Sequence, residues 1–203
     1  WHWRGYALYN LGNYEDAIAS FDKAIEINPD EYDAGIGRGV ALYNLGKYEE
    51  AIASYDKAIE INPDDYTAWI FRGFALDNLG NYEDAIASFD KAIEINPDDY
   101  TAWVNRGNAL SNLGKYEEAI AYYDKTLEVN PYDCLAWVNR GVALDKLGKY
   151  KEAIAYYDKA IEIRPDYYIA WSNQGLALFN LKRYQEAFQN WENGRKYLNL
   201  DTP

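Results

Sequence analysis

Methionine is absent from this 203-residue chain, cysteine and histidine occur once each, and 20 basic side chains face 33 acidic ones. Each shortage closes a route. A lone cysteine, Cys134, has no partner for an internal disulfide, which fits a reducing, cytoplasmic setting. A lone histidine, His2, leaves almost no raw material for a zinc site or a Ser–His nucleophile. A net charge of −13 argues against a duplex nucleic-acid partner, which demands cations to displace counterions from phosphate. Apolar runs extend only a few residues, too short for a bilayer span, and no signal-peptide pattern opens the chain. The missing initiator is what a piece of a longer chain would show, and the opening Trp1-His2-Trp3 has the character of mid-helix sequence.

What is there is a repeat. AIASYDKAIEINPDDYTAW at 51–69 returns as AIASFDKAIEINPDDYTAW at 85–103, a displacement of 34 residues. With Tyr32 as position one, whole units run 32–65, 66–99, 100–133 and 134–167; residues 1–31 form a truncated unit and 168–203 a sixth. Nothing is left for a separate domain, so a single solenoid domain over 1–203 is expected. Within a unit the apolar spacing is helical twice over. In 66–99, Ala68, Trp69, Gly73 and Leu76 mark one helix ending at Leu79-Gly80, where glycine suits a left-handed terminator. Ala85, Ile86, Phe89, Ala92 and Ile93 mark a second, which stops at Asn96-Pro97. Asp98 and Asp99 are placed to cap the helix that follows.

A helix–turn–helix of this length with Trp69, Gly73, Tyr82, Ala85, Phe89, Ala92 and Pro97 in these positions resembles the tetratricopeptide repeat. The resemblance covers the whole chain. It implies an all-α fold, an alpha-alpha superhelix built as a right-handed solenoid of antiparallel helix hairpins. Departures are local: Gly35 replaces tryptophan in the second unit, and Lys182, Gly194 and Asn199 blur the sixth. Arginine (Arg4, Arg38, Arg72, Arg106, Arg140) occupies position seven, where the family more often has leucine, and aspartate recurs at position twenty-five (Asp22, Asp56, Asp90, Asp124, Asp158). Both change together in the last unit, to Gln174 and Glu192, which suggests a structural pairing of the two positions.

Chemistry finds little purchase. The glycines of Gly35-Ile36-Gly37-Arg38-Gly39 have the wrong spacing for a dinucleotide loop, with no strand before them. The recurrent Leu-Gly-Lys-Tyr is the turn between helices and lacks the Ser/Thr of a phosphate loop. Cys134 stands where the other units have tyrosine, a packing position. No catalysis, metal or cofactor is expected.

In the family the first helices line a concave groove, and by the resemblance positions two, five, six, nine, twelve and thirteen face it. These are also the positions that vary most between units. Early units present Trp3, Tyr6, Tyr9, Tyr43, Phe71 and Phe74; later ones present Asn105, Asn108, Asn139 and Asn173. Asn105, Asn139 and Asn173 all hold position six, and a carboxamide can pair with a peptide C=O and N–H together. The row looks like the asparagine ladder of tetratricopeptide superhelices that hold extended polypeptides. Gly37, between Trp3 and Phe71 in that row, together with Gly35 is expected to leave an aromatic-walled pocket for a bulky apolar side chain. The family's carboxylate clamp is matched at Asn108 and Asn139, but its cations are missing. The expectation is a non-enzymatic scaffold binding an extended protein or peptide partner, with no nucleic-acid or membrane role. Two alternatives stand beside it: end-to-end self-association through uncapped ends, or service as the regulatory or targeting arm of a larger enzyme.

Overall fold

A computed structural model describes residues 1–198, and these are all-α. Twelve helices follow one another as six hairpins: α1 His2–Asn10 with α2 Tyr14–Ile27, α3 Tyr32–Asn44 with α4 Tyr48–Ile61, α5 Tyr66–Asn78 with α6 Tyr82–Ile95, α7 Tyr100–Asn112 with α8 Tyr116–Val129, α9 Cys134–Lys146 with α10 Tyr150–Ile163, and α11 Tyr168–Asn180 with α12 Tyr184–Leu198. The chain divides into two compact units, Trp1–Asn105 and Arg106–Pro203, the division falling inside α7.

Local rules account for the hairpins. Gly12, Gly46, Gly80, Gly114 and Gly148 take φ between 73° and 78° at the turn, a region open to glycine at no steric cost. There Gly46 N donates to Tyr43 O and Lys47 N to Leu42 O, so the last carbonyls of α3 are satisfied as the chain reverses. Lys182 occupies the same turn in the last hairpin with φ 64°, a conformation a side chain resists. Aspartates cap first helices: Asp65 accepts from Thr67 N at 2.7 Å, and Asp133 accepts from Leu135 N and Ala136 N.

Packing follows the small residues. In α2, buried Ala17, Ser20, Phe21 and Ala24 recur at helical spacing and face α1 and α3. A Cβ on Gly73 would lie 2.5 Å from the Phe89 ring, so glycine is what lets α5 and α6 approach. Burying a ring such as Phe89 contributes about 1.5–3 kcal/mol, and it is fully enclosed. In the first unit α1 packs on α3 and α3 on α5, as α9 packs on α11 in the second, making the first helices an inner layer.

Tryptophans at position four tie four of the six hairpins to the loop before them. Trp69 donates Nε1–H to Pro63 O, Trp103 to Pro97 O, Trp137 to Pro131 O and Trp171 to Pro165 O, at 2.8–3.0 Å.

Candidate functional site

In the first unit the inner layer is aromatic. Trp3 is exposed, while Tyr6 is half-buried with its ring edge-on to Phe21 at 5.5 Å. Tyr9 and Tyr43 pack against Tyr14 and Tyr48, the residues that open the second helices. Their hydroxyls accept hydrogen bonds from one repeat ahead: Asn44 Nδ2 donates to Tyr9 at 3.2 Å, and Asn78 Nδ2 to Tyr43 at 2.8 Å. Position thirteen therefore locks position twelve of the preceding repeat, a link the sequence signals only by the recurrence of asparagine. Phe71 stacks on Tyr55 at 5.9 Å and Phe74 meets Phe89 edge-on at the same distance. Between these rings lies a cavity of about 180 Å³, lined by Val40, Tyr43, Asn44, Tyr55, Phe71 and Phe74. Burial pushes the Tyr55 phenol upward, and its hydroxyl makes no hydrogen bond among the described residues.

The pocket expected at Gly37 is not there. Gly37 is buried, and a Cβ on it would meet the Phe21 ring at 2.6 Å, so that ring fills the space. Gly35 does line a cavity, of about 320 Å³, but its walls come from α2, the loop after it, Arg38 and α4 rather than from the aromatic row.

In the second unit the corresponding surface is polar and internally bonded. Asn108 Oδ1 accepts from Tyr123 Oη at 3.0 Å and from Asn139 Nδ2 at 2.8 Å. These residues, with Ser111, Asn112 and Val142, surround a cavity of about 240 Å³. Tyr157 Oη donates to Asp145 Oδ2 at 2.7 Å, while Asp145 Oδ1 is buried with no hydrogen-bond partner among the described residues. Burial raises the Asp145 carboxyl to about 6, against the opposing pull of the Tyr157 hydrogen bond and Lys146. Asn173 is half-buried and makes no side-chain hydrogen bond among the described residues. Asn105, in the first unit, spends one amide hydrogen on Thr101 O at 2.7 Å. Asn105 and Asn139 thus each have part of their carboxamide committed inside the protein.

The recurrent arginines are structural. Arg38 Nε meets Asp22 and Arg72 Nε meets Asp56, both at 2.6 Å, and Arg140 grips Asp124 with two nitrogens. Each reaches the aspartate of the preceding repeat, and Gln174 does the same to Asp158 at 2.6 Å. The joint change to Gln174 and Glu192 is therefore not a pair changing together: Gln174 keeps the ordinary aspartate. Cys134 is half-buried, its thiol directed at Ala160 O and pushed upward by burial. Among the described residues no helix is long and apolar enough to cross a membrane. No group of three or more His, Cys, Asp or Glu among them is arranged to hold a metal ion.

Comparison with known proteins returns one family. Its model, described as tetratricopeptide repeat, matches residues 3–66, 37–100, 72–133, 104–168 and 138–194. No curated protein matches. Among solved structures, a tetratricopeptide repeat protein from Parabacteroides merdae superposes with TM-score 0.84 at 23% identity, over 98% of this chain and 78% of its own. YrrB, described as a TPR protein with an unusual peptide-binding site, does so with TM-score 0.68 at 25% identity, over 87% and 91%. MamA from Desulfovibrio magneticus RS-1 gives TM-score 0.77 at 20% identity, over 85% and 97%.

Proposed function

Since the chain belongs to the tetratricopeptide repeat family, a fold generally used for protein interaction without catalysis, we propose that it is a scaffold that binds an extended polypeptide along its first helices. The observation that carries this is the cavity of about 180 Å³ walled by Tyr43, Tyr55, Phe71 and Phe74 on the inner layer of the first unit. It is apolar, open, and bounded by one carboxamide, Asn44, the combination that takes a bulky side chain and fixes a neighbouring polar group. YrrB, of like fold and length, is described as binding peptide, which supports the same use of this frame. In the second unit, Asn139 and Asn173 supply acceptors for peptide N–H groups, each worth about 0.5–1.5 kcal/mol net.

The test is selection of peptides from a random display library on the intact chain, followed by affinity measurement on variants. Phe71→Ala is expected to weaken the selected peptides at least about tenfold, the scale of one apolar side chain losing its contact. Lys91→Ala, on the exposed face of α6, is expected to leave them unchanged. Equal affinities for both variants would exclude the groove.

Self-association is the second reading, favoured by an apolar surface on the last hairpin: Leu176, Phe179 and Phe188 are 51%, 48% and 63% exposed. Mass that rises with concentration in light scattering, and falls to the monomer in Phe188→Glu, is the outcome it requires.

A further inference from the structure

The molecule carries its own template for a second ligand. In five repeats the fourth position is tryptophan, and the indoles of Trp69, Trp103, Trp137 and Trp171 each donate to the carbonyl of the proline that closes the repeat before. In the repeat 32–65 that position is Gly35, and the equivalent carbonyl, Pro29 O, receives no hydrogen bond among the described residues. Neighbouring side chains have not collapsed into the gap. A cavity of about 320 Å³ remains, within the size range of small-molecule sites.

Its walls correspond to the surroundings of the native indoles. Trp137 stacks on Tyr156, and the equivalent residue here, Ser54, lines the cavity. The Cβ of Trp171 lies 3.0 Å from where a Cβ on Gly194 would be, and the equivalent of Gly194 is Ala58, another wall. A Cβ on Gly35 would meet Ala58 Cβ at 3.6 Å and Ser54 O at 3.9 Å, ordinary contacts, so the hole is a missing side chain in an undistorted frame. Ile25 and Ile61 add apolar surface. Arg38 borders the space three residues after Gly35, the spacing at which Arg4 lies 5.5 Å over the Trp1 ring.

We propose that this cavity receives the tryptophan side chain of a partner polypeptide, its Nε1–H donating to Pro29 O and its ring seated on Ala58 beside Arg38. The indole supplies from outside the contact that Trp69 supplies from within. Asp22, Glu31 and Glu50 stand at the walls against Arg38 and Lys57, which leaves the lining acidic by one charge, so the tryptophan that fits best has lysine or arginine beside it. This site is separate from the aromatic groove and does not depend on it.

The probes are the capped tripeptide Lys-Trp-Lys, its 1-methyltryptophan and phenylalanine counterparts, and 3-methylindole, titrated into the intact protein by calorimetry. Lys-Trp-Lys is expected to bind most tightly. Methylating the indole nitrogen is expected to weaken it about three- to tenfold, the net worth of one hydrogen bond. Gly35→Trp is expected to fill the cavity, raise the thermal midpoint and reduce Lys-Trp-Lys binding more than about tenfold, the loss when the site of an apolar ring is occupied. Equal binding of the methylated peptide, or undiminished binding to Gly35→Trp, overturns the proposal. So does 3-methylindole binding as tightly as the peptide, which would make the ligand a small molecule. Should Gly35→Trp fail to fold, the methylated peptide on the unaltered protein still decides.

Discussion

Two stretches of one repeat array, built on nearly the same frame, use the same inner positions in opposite ways. In the first unit, Phe71, Phe74 and Tyr55 leave an apolar hollow, and the Tyr55 hydroxyl bonds to nothing among the described residues. In the second, Tyr123 and Tyr157 hold the same position as Tyr55, yet their hydroxyls are fastened to Asn108 and Asp145. The ring does the same packing work in both; what differs is whether the neighbour at the surface is carbon or an oxygen acceptor. A repeat can thus keep its core and exchange its surface chemistry almost independently, because the second-helix ring separates the two.

The sharpest way to break that comparison is to remove the shared part. Phe89→Ala is expected to cost about 3–5 kcal/mol in a urea melt, since a fully enclosed ring leaves a cavity behind it. A near-zero cost would mean that the frame is not what the surface rests on. Overfilling comes next. Gly39→Ala and Gly141→Ala, both at position eight, are each expected to cost about 1–3 kcal/mol, because a methyl would collide with the Tyr55 and Tyr157 rings. Similar costs in the two units would confirm that they share one packing rule.

The next pair probes the difference itself. Tyr123→Phe is expected to lose about 0.5–1.5 kcal/mol with its hydrogen bond, whereas Tyr55→Phe loses almost nothing; equal costs would erase the contrast. Asp145 adds a pH signature. Its carboxyl sits at about 6 in the folded protein, above the unfolded value of 3.8. The protonated form is therefore the one that folding favours. Its stabilising share is full below pH 4 and is lost as the pH rises through 6. Asp145→Asn is expected to raise the melting temperature at pH 7.5 and to change it little at pH 4. The smallest effect belongs to Lys182→Gly, expected to stabilise by about 0.5–1 kcal/mol by relieving a left-handed side-chain residue at the last turn.

Much of this was legible in the sequence, and for a physical reason. Positions such as Gly73, Ala85 and Phe89 are fixed by steric demands that recur every repeat, so self-comparison exposes them directly. Gly37 shows in sequence as a vacancy, while the ring that fills it, Phe21, comes from the neighbouring hairpin. The arginine–aspartate register was likewise hidden: repetition makes the aspartate of its own repeat and that of the repeat before indistinguishable until distances choose between them. The asparagines at position six were visible as a row, but their donation to Thr101 and Asn108 depends on rotamers that no spacing encodes.

The absent tryptophan at Gly35 bears on more than a ligand. In a chain whose stability is a sum of local terms and couplings between neighbours, the weakest coupling decides where opening begins. Loops 63–65, 97–99, 131–133 and 165–167 are each pinned by an indole of the hairpin that follows. The loop after α2 is not. Amide hydrogens of residues 28–34 should therefore exchange sooner than their counterparts one repeat along, making this the point at which the array first comes apart.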